Sequence, residues 1–114
     1  MEQKVARALE ACKKCVEACL ACADACGAED GMEACARTDR DCADVCATTA
    51  TLLERFSEVN PDEMKAQLQD CVASCRDCAE ECEQHADENE HCRVCAEACR
   101  RCEAACSELL ASMD

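Results

Sequence analysis

The amino-acid sequence predicts an all-α protein, an antiparallel up-down-up-down four-helix bundle with a cysteine-lined core. Only two glycines and one proline interrupt the 114 residues, and strong helix formers such as Ala, Glu, Arg, Leu and Met are frequent throughout. The 17 cysteines recur mainly at steps of three and four residues. That spacing keeps side chains on one face of a helix, so the cysteines are expected to line the interior.

Two breaks in the helical pattern carry clear signals. The first contains Gly27 and Gly31, which end one helix, and offers Asp30 as the cap of the next. The second places Asn60 before Pro61, a capping side chain followed by a proline in the first turn.

A third break is predicted at residues 85–89, where Asp87 and Glu90 have the spacing of a capping box. Four helices of similar length joined by short loops favour a single bundle domain over residues 1–114. The predicted helices run approximately from 2 to 26, 31 to 57, 61 to 85 and 88 to 113.

The cysteines occupy the seam positions that leucine fills in an ordinary bundle. Packing alone does not explain them, because replacing so many large aliphatic side chains would cost a core about 2 to 5 kcal/mol at each position. Disulfides within one helix have unsuitable geometry, and we expect any bonds between helices to be oxidative damage. The predicted metal ligands are Cys12, Cys15, Cys19, Cys22, Cys26, Cys35, Cys42, Cys46, Cys71, Cys75, Cys78, Cys82, Cys92, Cys95, Cys99, Cys102 and Cys106.

Thiolates at this spacing favour Cu(I). Side chains three or four residues apart can share a soft two-coordinate ion, and bridging sulfurs allow about one copper per cysteine. Seventeen Cu(I) ions neutralise 17 thiolates, whereas four Zn(II) ions bound by four cysteines each would leave a buried charge of −9. The sequence therefore predicts multiple Cu(I) ions as cargo.

The two ends of the predicted bundle differ. One end gathers an apolar plug of Val5, Leu9, Leu52, Leu53, Phe56, Met64, Leu68, Leu109, Leu110 and Met113. The other end, the mouth, gathers Cys26, Met32, Cys35, Cys82, His85, His91 and Cys92. We predict that copper enters at the mouth, with His85 and His91 as entrance ligands and Met32 as a further candidate.

The second helix has the fewest cysteines. Thr38 or Asp39, and then Thr49, lie where the spacing would place further ones. Asp39 could contribute an occasional oxygen contact, but a helix cap, a surface ion pair or a solvated position is the favoured expectation.

The amino-acid composition limits the binding partners and the cellular compartment that we expect for this protein. Acidic residues outnumber basic ones by 26 to 12, and no basic cluster is interleaved with aromatics, so nucleic acid is not an expected partner. No membrane-spanning run is visible, and the N-terminal residues lack the apolar core of a signal peptide. We expect a cytoplasmic protein, where thiols stay reduced and available to metal.

Three segments look like those of the bacterial copper storage proteins. They are DRDCADVC at residues 39–46, CRDCAEECEQH at 75–85 and HCRVCAEAC at 91–99, and the resemblance covers nearly the whole chain. It implies a four-helix bundle filled with thiolate-bound Cu(I), commonly a homotetramer, with His85 and His91 matching histidines beside the third loop. The sparse cysteines of the second helix depart from that pattern.

The favoured function is therefore cytosolic storage and sequestration of multiple Cu(I) ions, not enzymatic catalysis. One alternative is buffering of zinc or cadmium, as in metallothioneins. A less favoured one is a thiol-disulfide oxidoreductase using C-x-x-C pairs, which would need an exposed thiol of low pKa. The sequence identifies neither the copper donor nor the recipient.

Overall fold

The computed structural model describes residues 1–113, and this part of the chain forms four α-helices. Each helix packs against two neighbours, in the cyclic order α1, α2, α3, α4. The bundle measures 44 × 19 × 17 Å, so its long axis is that of the helices. The helices are α1 (Glu2–Gly27), α2 (Glu33–Leu53), α3 (Pro61–Glu83) and α4 (Glu90–Ser112). The predicted all-α antiparallel bundle is confirmed.

The start of α3 follows the sequence signal. Asn60 Oδ1 accepts hydrogen bonds from the backbone N–H groups of Asp62 at 2.8 Å and Glu63 at 3.4 Å. Pro61 is the first helical residue, where its missing N–H leaves no helical hydrogen bond unmade. The predicted Asn60 cap is therefore confirmed.

The two aspartate caps predicted for α2 and α4 are wrong. Helix α2 begins one residue after Met32, and the Glu33 side chain accepts a hydrogen bond from the Gly31 N–H at 3.3 Å, so Asp30 lies outside the cap. Gly31 has φ +85°, a conformation that glycine adopts without steric cost, and it turns the chain ahead of the cap position. Helix α4 follows Asn89 rather than Asp87.

Helix α2 ends at Leu53, earlier than the predicted residue 57. A short 3-10 helix at Phe56–Glu58 follows. Beyond the helix end, Val59 is buried and Phe56 packs against the core, partly buried. Burying these apolar groups favours the earlier helix end.

Two different classes of side chain fill the two parts of the interior. At one end Leu53, Met64, Leu68 and Leu109 are buried, and the rest of the predicted plug packs around them, partly buried. Along the remaining length the buried side chains are mainly cysteines and alanines, whose small size lets the helices approach closely. Within residues 1–113, no helix has the length and apolar character required to cross a membrane.

Candidate metal centre

A continuous column of thiols fills the bundle beyond the apolar plug. All 17 cysteines are free and have 0% exposure. Neighbouring Sγ atoms lie 3.6 to 4.0 Å apart, from the pair Cys12 and Cys102 to the pair Cys46 and Cys102. A metal–thiolate bond of about 2.3 Å can place two sulfurs up to about 4.6 Å apart, so neighbouring thiols can share an ion.

The contacts run along the helices as well as between them. Cys15 and Cys19 lie on the same helix with their sulfurs 3.8 Å apart, as the i,i+4 spacing predicts. Cys46 of α2 lies 3.6 Å from Cys75 of α3 and 4.0 Å from Cys102 of α4. Each sulfur therefore has potential metal-sharing partners on its own helix or on others.

These contacts assemble into overlapping groups of four ligands. Within each group the ligand atoms lie within 4.8 Å of one another. Cys15, Cys19, Cys42 and Cys99 each belong to more than one group, an arrangement suited to thiolates that bridge several ions. The groups include Cys12, Cys71, Cys102 and Cys106; Cys15, Cys42, Cys46 and Cys75; Cys15, Cys19, Cys42 and Cys99; and Cys19, Cys78, Cys95 and Cys99.

Asp39 lies inside this column. It has 0% exposure, and its Oδ1 accepts hydrogen bonds from the thiols of Cys78 at 3.2 Å, Cys82 at 3.4 Å and Cys95 at 3.4 Å. The expectation of a cap, surface pair or solvated position was wrong. The available signal was spacing, because Asp39 follows Cys35 by four residues and precedes Cys42 by three, the steps of the inward stripe.

Thr49 continues the same stripe and lies between the thiols and the plug. Its hydroxyl donates to the backbone oxygen of Val45 at 2.7 Å and accepts from Gln67 Nε2 at 2.9 Å. The hydroxyl has protein partners both as a donor and as an acceptor, so Thr49 is better suited to bounding the thiol column than to binding an ion.

The two histidines at the mouth have different surroundings. A ring nitrogen of His91 lies within 4.8 Å of the sulfurs of Cys22, Cys26 and Cys92. His85 Nε2 instead lies 3.0 Å from Glu81 Oε2. Met32 is buried in the core at this end of the bundle. Sequence spacing grouped these residues at one end, but it did not distinguish the roles of the two rings.

Burial opposes ionisation of the thiols before any metal arrives. Burial raises the pKa of the Cys92 thiol to about 12, and it also raises the pKa of the Cys35 thiol. Cys35 and Cys92 are therefore protonated at neutral pH. A bound cation must therefore displace protons as it supplies the compensating charge.

A family model for copper storage proteins (Csp) matches residues 1–111. The chain belongs to the copper storage protein family. This confirms the predicted resemblance and a copper storage function, and the thiol column agrees with a cargo of multiple Cu(I) ions.

Solved copper storage proteins share this fold. A histidine-to-alanine variant of Ccsp from Streptomyces lividans is 49% identical, with 100% of this chain and 98% of that chain covered and a TM-score of 0.96. Ccsp loaded with 10 copper equivalents is 51% identical, with 96% and 85% covered and a TM-score of 0.93. Apo-Csp3 from Bacillus subtilis is 33% identical, with 91% and 96% covered and a TM-score of 0.79. No curated protein sequence matched the chain.

Asp39 should give this copper storage protein an unusual pH dependence. Burial raises the pKa of Asp39 from 3.8 to about 6, although hydrogen bonds from Cys22, Cys78 and Cys82 oppose the shift. Between these values the folded state binds more protons than the unfolded state, so the Asp39 contribution to stability is lost as the pH rises. The full loss is about 3 kcal/mol.

The test compares the metal-free, reduced protein with Asp39→Asn by urea unfolding from pH 4 to pH 7. The unfolding free energy of the parent minus that of the variant should fall by about 2 kcal/mol between pH 4 and pH 7, since part of the full loss occurs below pH 4. Asp41→Asn, at an exposed position two residues away, is the matched control. A difference between parent and Asp39→Asn that stays constant with pH would contradict the prediction.

Proposed function

We propose that this chain stores and sequesters Cu(I) at about one ion per cysteine, using all 17 thiolates as ligands. The observation that carries the proposal is the continuous column of buried thiols, with neighbouring sulfurs 3.6 to 4.0 Å apart. A single-ion metallochaperone needs only a few ligands, whereas this column has sulfurs along most of the bundle. Ligand exchange between adjacent thiolates then allows each ion to move inward.

Charge favours Cu(I) over Zn(II) for filling the column. One Cu(I) per thiolate balances the charge of the thiolates, whereas one Zn(II) for each four thiolates leaves two buried negative charges at every site. Zinc or cadmium buffering remains the competing binding function. Competition between Cu(I) and Zn(II) at equal free concentrations distinguishes the two, since a copper store retains copper.

Copper is proposed to enter at the mouth, where His85, His91 and Met32 accompany the outermost thiols. His91 lies beside three of these sulfurs, and the opposite end is closed by buried Met64, Leu68 and Leu109. Imidazole and thioether groups bind copper and can pass it to thiolates. The rate of copper uptake, rather than the final amount, is the quantity that tests this route.

We propose that the thiols store copper and do not catalyse a reaction. The C-x-x-C pairs considered for an oxidoreductase, such as Cys12 with Cys15 and Cys99 with Cys102, have 0% exposure. A disulfide exchange enzyme requires a thiolate that its substrate can reach. Turnover of a small disulfide substrate by the metal-free protein would contradict this part of the proposal.

The proposed setting is the cytoplasm, with copper ions as the principal partner. One relative, 51% identical, is a cytosolic copper storage protein from Streptomyces lividans loaded with five coppers. A reducing compartment keeps the thiols available. From the family resemblance we propose that the protein is a homotetramer, and sedimentation equilibrium measures the oligomeric state directly. We propose no binding to nucleic acid or to a membrane.

An anaerobic Cu(I) titration of the reduced protein against a competing chelator tests the storage function. The copper bound per chain should reach a plateau close to the 17 cysteines. Cys46→Ser, which removes a sulfur in contact with both α3 and α4, should lower that plateau. A plateau of one or two ions per chain would exclude a store and favour a chaperone or a zinc protein.

A further inference from the structure

We propose that the reduced, copper-free protein binds one tetrahedral divalent ion of the Zn(II) class at its mouth, on Cys22, Cys26, His91 and Cys92. The donor set differs from the four-cysteine groups described deeper in the column because it includes an imidazole. Three thiolates and one imidazole form a common ligand set for zinc in proteins. This proposal does not rest on the copper capacity of the column.

The three sulfurs already have the separations of a zinc site. The Sγ atom of Cys22 lies 3.7 Å from that of Cys26 and 3.9 Å from that of Cys92, and the Cys26 to Cys92 distance is 3.9 Å. A tetrahedron with metal–sulfur bonds of about 2.3 Å has edges of about 3.8 Å. A ring nitrogen of His91, within 4.8 Å of all three sulfurs, is placed to supply the fourth corner after a small adjustment.

The imidazole of His91 has an unmet bonding requirement. Its Nε2 atom is buried and has no hydrogen-bond partner in residues 1–113. Buried polar nitrogens are almost always bonded, and leaving one without a partner costs free energy. His85, at the same end of the bundle, has a protein partner in Glu81. A metal ion bound to a His91 nitrogen would provide the bonding partner that this ring lacks.

Charge directs a divalent ion to the mouth rather than to the middle of the column. Zn(II) with three thiolates and a neutral imidazole has a net charge of −1, whereas Zn(II) in a four-cysteine group has −2. A single Cu(I) ion bound by all three thiolates at the mouth would also leave −2. Since buried net charge is costly, the mouth group is better matched to a single divalent ion than the four-cysteine groups are.

The ion would connect two helices at the open end. Cys22 and Cys26 lie near the end of α1, and His91 and Cys92 lie in the first turn of α4. Metal bound by both helices stabilises the copper-free bundle by mass action. It also occupies the place where the first copper ion would be bound.

Co(II) is the probe for this site because its tetrahedral thiolate complexes have intense visible absorption. We expect anaerobic titration of the reduced, copper-free protein to give one tight Co(II) per chain, which one equivalent of Zn(II) displaces. His91→Gln should weaken Co(II) binding by roughly tenfold or more and shift the visible bands, because a nitrogen ligand is lost. The matched control, His85→Gln, should bind Co(II) as the parent does.

Cys99→Ser is a second control, since Cys99 is outside the mouth group, and it should retain the tight Co(II) site. No tetrahedral spectrum, several equivalent Co(II) ions, or equal affinity in His91→Gln and the parent would overturn the proposal. Far-ultraviolet circular dichroism confirms that each variant is folded. Cu(I) titration of the same samples separates the two ideas, because a high copper plateau without the Co(II) site removes only this inference.

Discussion

Saturation with Cu(I) is expected to raise the midpoint temperature of unfolding above the range that can be measured in liquid water. Each ion bound only by the folded state, at a free concentration a thousandfold above its Kd, contributes about 4 kcal/mol. Five such ions contribute about 20 kcal/mol, more than the whole stability of a typical domain, which is about 5 to 15 kcal/mol. Thermal scans followed by far-ultraviolet circular dichroism, with and without copper, measure the change.

Reversibility provides the control for this result. Removing the copper with an excess of a strong Cu(I) chelator under reducing conditions should restore the original transition. If the loaded protein melted within a few degrees of the copper-free protein, the ions would be bound equally well by the unfolded chain. The column would then have no folding-dependent role in copper storage.

Leu68→Ala is expected to be among the most damaging single substitutions for the copper-free protein. Leu68 has 0% exposure in the apolar plug, where conventional hydrophobic packing is concentrated. Truncating a buried leucine costs about 2 to 5 kcal/mol through lost transfer energy and the remaining cavity. In a domain of this size the midpoint of thermal unfolding should fall by roughly 10 to 25 °C, and urea unfolding should give the free energy directly.

Leu20→Ala is the matched control, because Leu20 lies on the surface of α1 with 48% exposure. It should change the unfolding free energy by no more than about 0.5 kcal/mol. Leu68→Ala should still bind the same amount of copper, since Leu68 supplies no ligand, and copper should restore much of its stability. Equal effects of the two substitutions would show that the plug does not determine the stability of the copper-free bundle.

Different parts of the molecule are expected to provide its folding stability without and with copper. Without metal, folding relies on the plug of large apolar side chains, because alanine and cysteine elsewhere provide less apolar surface. With metal, the helices are held by bonds from thiolates of several helices to shared ions. We therefore expect one end of the bundle to be stable without metal and the rest to depend on bound copper for much of its stability.

Asp39 shows where sequence reasoning reached its limit. Its spacing placed it on the inward stripe, but a carboxylate is usually exposed, and that general preference led to the wrong expectation. Burial became favourable because thiols from α3 and α4 donate to the same oxygen. Those donors are 39 to 56 residues away in the chain, so local sequence does not reveal them.

The amino-acid sequence by itself determined the helical class, the inward cysteine stripes and the separation of an apolar end from a histidine-bearing end. These properties follow from local propensity and from the periodicity of a single helix. Only the tertiary structure decided which sulfurs share a group, that Asp39 is buried among thiols, and that His91 joins three cysteines while His85 contacts Glu81. The reason is physical, since these relationships depend on distances between side chains of different helices, which are fixed only when the helices pack together.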